Sequence, residues 1–252
     1  MKEFFDEIRE TLFDGALSQK QVDGINATLA AYSLYGDQNV NTLAIILATD
    51  WWETDKAMQP VTERGNRQYF NKYEPGTEIG KVLGNTAPGD GFLYRGRGDV
   101  MLTGRSNYAR VGRLIGVDLV GNPDRALELE ISKRILIEGT IKGWFTGKKL
   151  SDYIDDKDED DAEDLREFME SRRVVNGTDR AREIGQAALI FERGLRAVPK
   201  IAPPTGADGS GQETVPGVNE PPVAPDKPRK RGIFWPVVAG LAIIAILAFI
   251  FL

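Results

Sequence analysis

The feature that most constrains this chain is its division into a charged, periodic N-terminal part and a C-terminal part unable to build a core. Residues 198–232 hold eight of the thirteen prolines, with glycine, serine and aspartate between them, a composition typical of a flexible linker. Residues 233–252 carry no charge and are long enough, at about 1.5 Å per residue, to cross a bilayer as one helix. The sequence therefore predicts a globular domain over 1–197, a linker over 198–232 and a transmembrane helix over 233–252.

The composition of the chain excludes several classes of site. It contains neither cysteine nor histidine, so disulfides, thiolate metal sites and imidazole-based triads are excluded. Acid–base chemistry has to use carboxylates, lysine, tyrosine or water, and we expect no metal and no cofactor. The formal net charge of −6 argues against broad nucleic-acid binding, which needs a basic surface.

Apolar residues at helical spacing predict a mainly α fold for the globular domain. We expect Ser18 to cap the second helix, Asp37 or Asn39 the third, and Thr103 a later one. Dense glycines between residues 69 and 100 predict loops and a short hairpin, and such a region between two helical lobes favours a cleft. The inward faces are expected to be Phe4, Phe5, Ile8 and Leu12, then Val22, Ile25, Leu29 and Ala30, then Val40, Leu43, Ala44, Leu47 and Trp51. Further helices are expected through Tyr108, Val111, Leu114 and Ile115, from Pro123, over 161–174 and over 178–195.

Two glutamates stand ten residues apart in the stretch WWETDKAMQPVTE. Glu53 is expected at the C-terminal end of the third helix, where the helix dipole and burial beside two tryptophans favour the protonated form. Glu63 follows a proline and precedes two arginines, a polar and cationic setting that favours the ionised form. Two carboxyls held in different states are typical of a general acid and a general base, but glutamates at this spacing are common and the spacing alone does not prove the pair.

Four longer segments carry more specific information: WWETDKAMQPVTERG, YFNKYEPGTEIGKVLGNTAPGDGFLYRGRGDVMLTGRSNYARVG, GWFTGKKLSDY and RRVVNGTDRAREIGQAALIFERGL. Together they resemble glycoside hydrolase family 19, the lysozyme-like chitinase class, in its phage and bacterial endolysin branch. The likeness covers roughly residues 4–196, and its RGRG-x-V-x-LTGR-x-NY run is long. The resemblance implies a lysozyme-like, two-lobed helical domain with a glycine-rich loop and hairpin region.

The resemblance also implies an inverting glycoside hydrolase. Glu53 matches the general acid that protonates the glycosidic oxygen, Glu63 the base that activates a water, and Thr103 the hydroxyl that holds this water. The residues expected to bind substrate are Trp52, Tyr94, Met101, Asn107 and Asn176. Two structural alternatives stay open, namely that Thr103 only caps its helix and that Asn107 only bonds backbone. We expect the two arginines of YRGRG to brace the cleft floor through ion pairs, with Glu63 as a candidate partner.

The chain departs from the family pattern at three positions. Trp52 stands where histidine is usual, and Asp99 where an apolar or aromatic residue is commoner. Met101 replaces a glutamine that binds substrate in the family, and methionine does not form that glutamine's hydrogen bonds. The loss of one polar contact predicts binding weakened by about 1–3 kcal/mol. A degenerate protein that binds glycan without cutting it stays open as the alternative.

The expected partner is a β-1,4 polymer containing N-acetylglucosamine, and the endolysin branch favours peptidoglycan over chitin by analogy. The second expected partner is a lipid membrane, because of residues 233–252. Basic residues at 227–231 precede the apolar run and predict that the globular domain is cytoplasmic. A cytoplasmic position conflicts with a cell-wall substrate on the other side of the membrane. Three explanations stay open: the membrane is opened during lysis, the anchor lies in another membrane, or the charge rule is overridden. Two further alternatives are a tethered scaffolding protein and a membrane-disrupting role for the apolar segment.

Overall fold

The computed structural model describes residues 1–155, 157 and 160–198, which form a mainly helical domain. Its short strands β1 (Val61–Thr62) and β2 (Arg97–Gly98) pair antiparallel, with Val61 opposite Gly98. The α-helices are α1 (Lys2–Leu12), α2 (Gln19–Tyr35), α3 (Val40–Glu53), α4 (Glu78–Val82), α5 (Asp90–Leu93), α6 (Arg105–Ile115), α7 (Leu129–Lys142), α8 (Asp161–Ser171) and α9 (Ala181–Arg196). Single 3-10 turns or short 3-10 helices cover Arg67–Tyr73, Pro123–Leu127, Leu150–Asp152 and Arg172–Val174. The predicted helical class is confirmed.

The C-terminal predictions concern residues that the structure does not describe. The linker from residue 199 onward and the transmembrane helix over 233–252 lie outside the described residues. Within the described part of the chain, no helix has the length and apolarity needed to cross a bilayer.

Local hydrogen bonding explains where the first helices begin. The Ser18 side chain accepts from the Gln21 N–H while Gln21 Oε1 accepts from the Ser18 N–H, which completes a capping box. Asn39 caps α3 by accepting from two N–H groups of its first turn. The prediction that Thr103 caps α6 is wrong, because α6 begins after Gly104, which has φ 90° and makes no side-chain cap.

The largest hydrophobic cluster is built mainly from α1, α2, α3 and α9. The predicted face of α1 is confirmed, since Phe4, Phe5, Ile8 and Leu12 are all buried. Two other inward positions are wrong: Ala30 is exposed and Leu114 is 49% exposed. The buried stripe of α2 passes through Thr28 instead, because the Thr28 hydroxyl bonds a buried aspartate of α3.

Two smaller clusters lie apart from the large one. One surrounds Tyr94, Leu102 and Tyr108 and includes residues of α6 and α7. The other contains Phe70, Tyr73 and Leu83, between the 3-10 turns and α4. Glu53 therefore ends a helix of the large cluster, whereas Tyr73, a partner of Glu63, belongs to a smaller one.

Candidate active site

The segment that leaves α3 turns sharply before it reaches β1. Asp55, Lys56 and Met58 have φ of 52°, 64° and 55°, a left-handed conformation that is uncommon for residues other than glycine. Met58 is fully buried, and its carbonyl is so close to α2 that a methyl group on Gly24 would lie 1.8 Å from it. Strained backbone of this kind persists only where the surroundings fix it, and it concentrates at functional sites. The turn thus fixes how the chain passes from Glu53 towards Glu63.

Glu53 is held by a buried ion pair. Its side chain is 8% exposed, and Oε1 accepts from Arg172 Nη2 at 2.5 Å. Arg172 itself is 1% exposed, and its Nη1 has no hydrogen-bond partner in the described structure. The apolar setting expected for Glu53 is therefore wrong. The Trp51 indole donates to the Leu12 carbonyl at 3.2 Å, so this tryptophan packs towards the core. The side chain that contacts the Glu53 carboxylate is Arg172.

Asn176 and Trp52 lie on the same side of the site as Glu53. Asn176 is buried, and its N–H donates to the Arg172 carbonyl at 3.0 Å. The structure therefore brings this predicted residue to the partner of Glu53. Trp52 is half-buried and packs on the large cluster, with its ring centre 6.1 Å from that of Trp51.

Glu63 is buried and held by neutral donors. The Tyr73 hydroxyl donates to Oε1 at 2.9 Å, and the Gly96 N–H donates to Oε2 at 3.1 Å. Burial and the nearby Glu63 carboxylate raise the pKa of Tyr73 above its usual range, so this hydroxyl keeps its proton and remains a donor. The expected ion pairs to Glu63 are wrong. Arg95 donates to the Phe92 carbonyl at 2.8 Å, and Arg97 pairs with Asp124 at 2.8 Å.

Three predicted residues meet around Gly96. A methyl group added there would lie 2.9 Å from Met101 Cε, 3.2 Å from Thr103 Oγ1 and 3.3 Å from Glu63 Cβ. The Thr103 hydroxyl donates to the Met101 carbonyl at 2.7 Å, and Met101 has φ 54°. Asn107 joins this group because its amide donates to the Thr103 carbonyl at 2.8 Å, which is the backbone contact considered as its structural alternative.

Tyr94 is a core residue. It is 2% exposed, its ring centre lies 5.4 Å from that of Tyr108, and its hydroxyl donates to the Val120 carbonyl at 3.2 Å. These contacts enclose the side chain, so the expectation that Tyr94 binds substrate is wrong. It packs the strand region that carries Gly96 instead.

A buried lysine links the two halves of the site. Lys133 Nζ lies 2.7 Å from Asp50 Oδ2, 3.2 Å from Asp99 Oδ1 and 3.0 Å from the Met58 carbonyl. The three charged side chains are 0% exposed. Asp50 precedes Glu53 by one helical turn, and Asp99 is two residues before Met101. Lys133 therefore ties the end of α3 to the turn that places Met101 and Thr103.

The charges of this cluster do not balance, since one ammonium faces two carboxylates. Burial, together with the Asp99 charge, raises the pKa of Asp50 to about 7 against the opposing effect of Lys133. Burial opposes the charge of Lys133, but the two carboxylates outweigh it and raise the lysine's pKa. Ser132 donates to Asp99 at 2.7 Å, so the aspartate at this unusual position has two polar partners.

Sequence reasoning missed Arg172, Tyr73 and Lys133. A charged residue inside the apolar run AIILATDWW is a signal that Asp50 needs a buried partner, and Lys133 in α7 is such a partner. The sequence around Arg172 holds no comparable signal. The described residues contain no group of three or more acidic side chains that could hold a metal ion.

Comparisons with known proteins give partial similarities. No protein-family model matches the chain. Chitinase 8 of rice (Oryza sativa subsp. japonica) is 61% identical over 31 residues, which is 12% of this chain and 12% of the chitinase. Chitinase C of Streptomyces griseus superposes with a TM-score of 0.49 at 18% identity, over 77% of this chain and 74% of that one. A bacterial family 19 chitinase gives a TM-score of 0.45 at 20% identity, over 77% of this chain and 92% of the other.

Proposed function

We propose that the protein is an inverting glycoside hydrolase that cuts β-1,4-linked polymers of N-acetylglucosamine. The observation that carries the proposal is the setting of Glu63, whose carboxylate is fixed by two donors beside the Thr103 hydroxyl. Glu53, the second buried carboxyl, is anchored separately by Arg172. The 31-residue segment that is 61% identical to a chitinase supports the same class.

Glu53 takes the role of general acid. Arg172 occupies Oε1, whereas Oε2 has no hydrogen-bond partner among the residues described. Oε2 is therefore the atom that takes up a proton from solvent before the reaction and passes it to the glycosidic oxygen as the bond to the leaving sugar breaks, which returns Glu53 to the carboxylate that Arg172 holds. Arg172 fixes the carboxyl during this transfer, because its guanidinium is itself locked in the fold.

Glu63 takes the role of general base. A water lying between Glu63 and Thr103 donates one hydrogen to the carboxylate and one to the hydroxyl oxygen, since Thr103 uses its own hydrogen on Met101. Glu63 removes the proton as the water oxygen attacks the anomeric carbon from the face opposite the leaving group. This geometry inverts the anomeric centre and requires carboxyls about 6.5–9.5 Å apart.

For the whole chain we infer an endolysin-type peptidoglycan hydrolase that residues 233–252 anchor in a membrane. The support is the uncharged 20-residue run behind a proline-rich segment. The basic residues at 227–231 favour a cytoplasmic globular domain, which would reach the wall once the membrane is opened.

A second candidate is a protein that binds glycan without cutting it. The observation that favours it is the position of Met101, whose methyl group stands at Gly96 beside the base. A thioether there offers substrate no hydrogen-bond donor. This candidate predicts that loss of Glu53 leaves glycan binding and function intact.

The test mixes the full chain with purified peptidoglycan and, separately, with chitin oligosaccharides. Products are read by mass and by anomeric form. We expect inverted sugars from the wild type, and a rate lower by about 10²–10⁴-fold in Glu53→Gln and Glu63→Gln. Glu78→Gln is the matched control, because Glu78 is 85% exposed. Binding without release of sugars in all variants would support the second candidate and contradict the first.

A further inference from the structure

A buried aromatic cluster adjoins Glu63. Phe70 packs edge-on against Tyr69 and Phe92, with ring centres 5.0 and 5.6 Å away, and lies 6.1 Å from Tyr73. Tyr73 donates directly to the Glu63 carboxylate. The cluster therefore contacts the proposed base through Tyr73, and Lys72 Nζ lies 4.7 Å from the centre of the Tyr73 ring.

Three cations lie against rings of this cluster. The guanidinium carbons of Arg67 and Arg95 lie 4.7 and 4.2 Å from the centre of the Phe92 ring. Lys72 Nζ lies 3.7 Å from the centre of Tyr69. Arg67 is exposed, while the other two are half-buried. We call Arg67, Lys72 and Arg95 the cationic wall.

The cationic wall forms no salt bridge with the described residues. No salt bridge joins any of its three members to a carboxylate of the described residues, and Arg95 donates to a backbone carbonyl. Nearby arginines differ, since Arg97 pairs with Asp124 and Arg105 with Asp90. The wall is therefore a positive patch without a salt bridge, on a chain whose net charge is −6.

Two of these like charges are also held close together. Because both lie against the Phe92 ring, the guanidinium carbons of Arg67 and Arg95 are at most ~9 Å apart, the sum of their two distances to it. The upper bound is near the Debye length of about 8 Å at physiological salt, where exposed charges are already strongly screened, so both cations can be held on one ring. Cation–π contact holds the side chains in place but does not neutralise them. Burial and the neighbouring Arg97 lower the pKa of Arg95 against the opposing effect of the Asp124 and Glu63 carboxylates, so this cation lies within the electrostatic reach of the proposed base.

We propose that the cationic wall is a subsite for carboxylates carried by the glycan, and that it selects a peptide-bearing glycan over neutral chitin. The inference rests on the proposed function and names its substrate class. Guanidinium groups bind carboxylates through paired hydrogen bonds, and Arg67 and Arg95 present two such groups at one ring. A neutral polymer gains nothing from the wall.

The test is a binding cycle, in which binding is measured while the protein and the glycan are each changed separately and together. The full chain carries Glu53→Gln so that cleavage does not interfere, and binding is measured by co-sedimentation with cell-wall sacculi stripped of phosphate polymers. The sacculi are used native or with their carboxylates amidated by carbodiimide and ammonia. The protein variants add Arg67→Gln/Lys72→Gln, or Arg113→Gln as a matched control, since Arg113 is an exposed arginine on α6.

We expect the double substitution to weaken binding to native sacculi about tenfold, the effect of losing one or two charge-assisted contacts. On amidated sacculi the double variant and its parent should bind within twofold of each other. Arg113→Gln should bind both ligands as the parent does. Arg67→Lys, which keeps the charge, should bind native sacculi better than Arg67→Gln, and thermal unfolding verifies that each variant is folded.

Equal losses on native and amidated sacculi, or no loss on either, would overturn the subsite. A tenfold loss that appears only with sacculi retaining phosphate polymers would also overturn it. The proposed function is tested separately by sugar release from the wild type. If the wild type releases no sugar, the binding measurements can still be interpreted. If the binding measurements contradict the subsite, the proposed hydrolase activity is unaffected.

Discussion

The two glutamates of the candidate site are held in opposite ways. Glu53 is fixed by a full charge from Arg172, 119 residues further along the chain. Glu63 is fixed by neutral donors, a hydroxyl 10 residues away and a backbone N–H 33 residues away. The position of Glu53, the proposed acid, therefore depends on the packing of the C-terminal helices. The contacts of Glu63, the proposed base, are built within one stretch of chain. We therefore expect substitutions at the partners of Glu53 and of Glu63 to differ in how much they change stability and activity.

The largest effect is expected from breaking the ion pair of Glu53. Arg172→Met leaves a buried carboxylate without its cation, which typically costs about 3–5 kcal/mol. Denaturant unfolding at pH 7 measures this loss, and kcat should fall with it because Glu53 is no longer fixed.

The neighbouring arginine provides the control for that change. Arg173 is half-buried and donates to one helix carbonyl at 3.3 Å, so Arg173→Met should change the free energy of unfolding by about 0.5 kcal/mol or less. Glu53→Gln/Arg172→Met should recover part of the loss, because no charge is left unpaired. Equal losses at 172 and 173 would show that Glu53 does not depend on the pair.

The next effect is expected on the base side, at Gly96. Gly96→Ala forces a methyl group against Met101, Thr103 and Glu63, and overpacking of this kind costs about 1–3 kcal/mol. We expect both the free energy of unfolding and kcat to fall. Met101→Ala in the same chain should restore much of the loss, since Met101 makes the closest contact. Gly177→Ala is the control, because a methyl group there meets nothing within 4 Å.

The same contrast explains what the sequence could predict. The caps Ser18 and Asn39 were predictable because their bonds are local, and the clustering of Met101, Thr103 and Asn107 follows from one short run. The Glu53–Arg172 pair was not predictable, because nothing in either segment records a contact over 119 residues. Thr103 is not the cap that the sequence predicted, because Gly104, which has a positive φ, is the residue directly before the helix.

Aromatic residues were the other source of error. Tyr94 has the aromatic ring and hydroxyl expected of a sugar-binding side chain, yet both form contacts inside the fold. Tyr73, which no pattern singled out, is the aromatic that contacts Glu63. The choice between core and cleft depends on tertiary packing, and the identity of the residue does not decide it.

A smaller effect is expected when one neutral donor of Glu63 is removed. Tyr73→Phe keeps the ring but deletes the hydroxyl at 2.9 Å, and a hydrogen bond to a charged group contributes about 1.5–3 kcal/mol. We place the loss at the lower end because the Gly96 donor remains. Tyr69→Phe is the matched control in the same cluster. Unfolding and sugar release measure the effect, and equal behaviour of the two variants would mean that the Tyr73 hydroxyl does not hold the base.

The smallest effect is a pH dependence expected from the Glu53 side and not from the Glu63 side. Burial raises the pKa of Asp50 from 3.8 to about 7, so the folded state holds a proton that the unfolded state releases, and stability should fall as the pH rises from about 4 to about 7. Lys133 keeps its charge throughout, because its pKa is raised above 10.5. Denaturant unfolding at pH 5 and 7 should show a loss on the order of 1 kcal/mol in the wild type and a flatter profile in Asp50→Asn. Tyr73→Phe should keep the wild-type slope, because the donors of Glu63 do not titrate in this range. A wild-type profile as flat as that of Asp50→Asn would show that Lys133 compensates both carboxylates, and the charge asymmetry between the two halves of the site would then be absent.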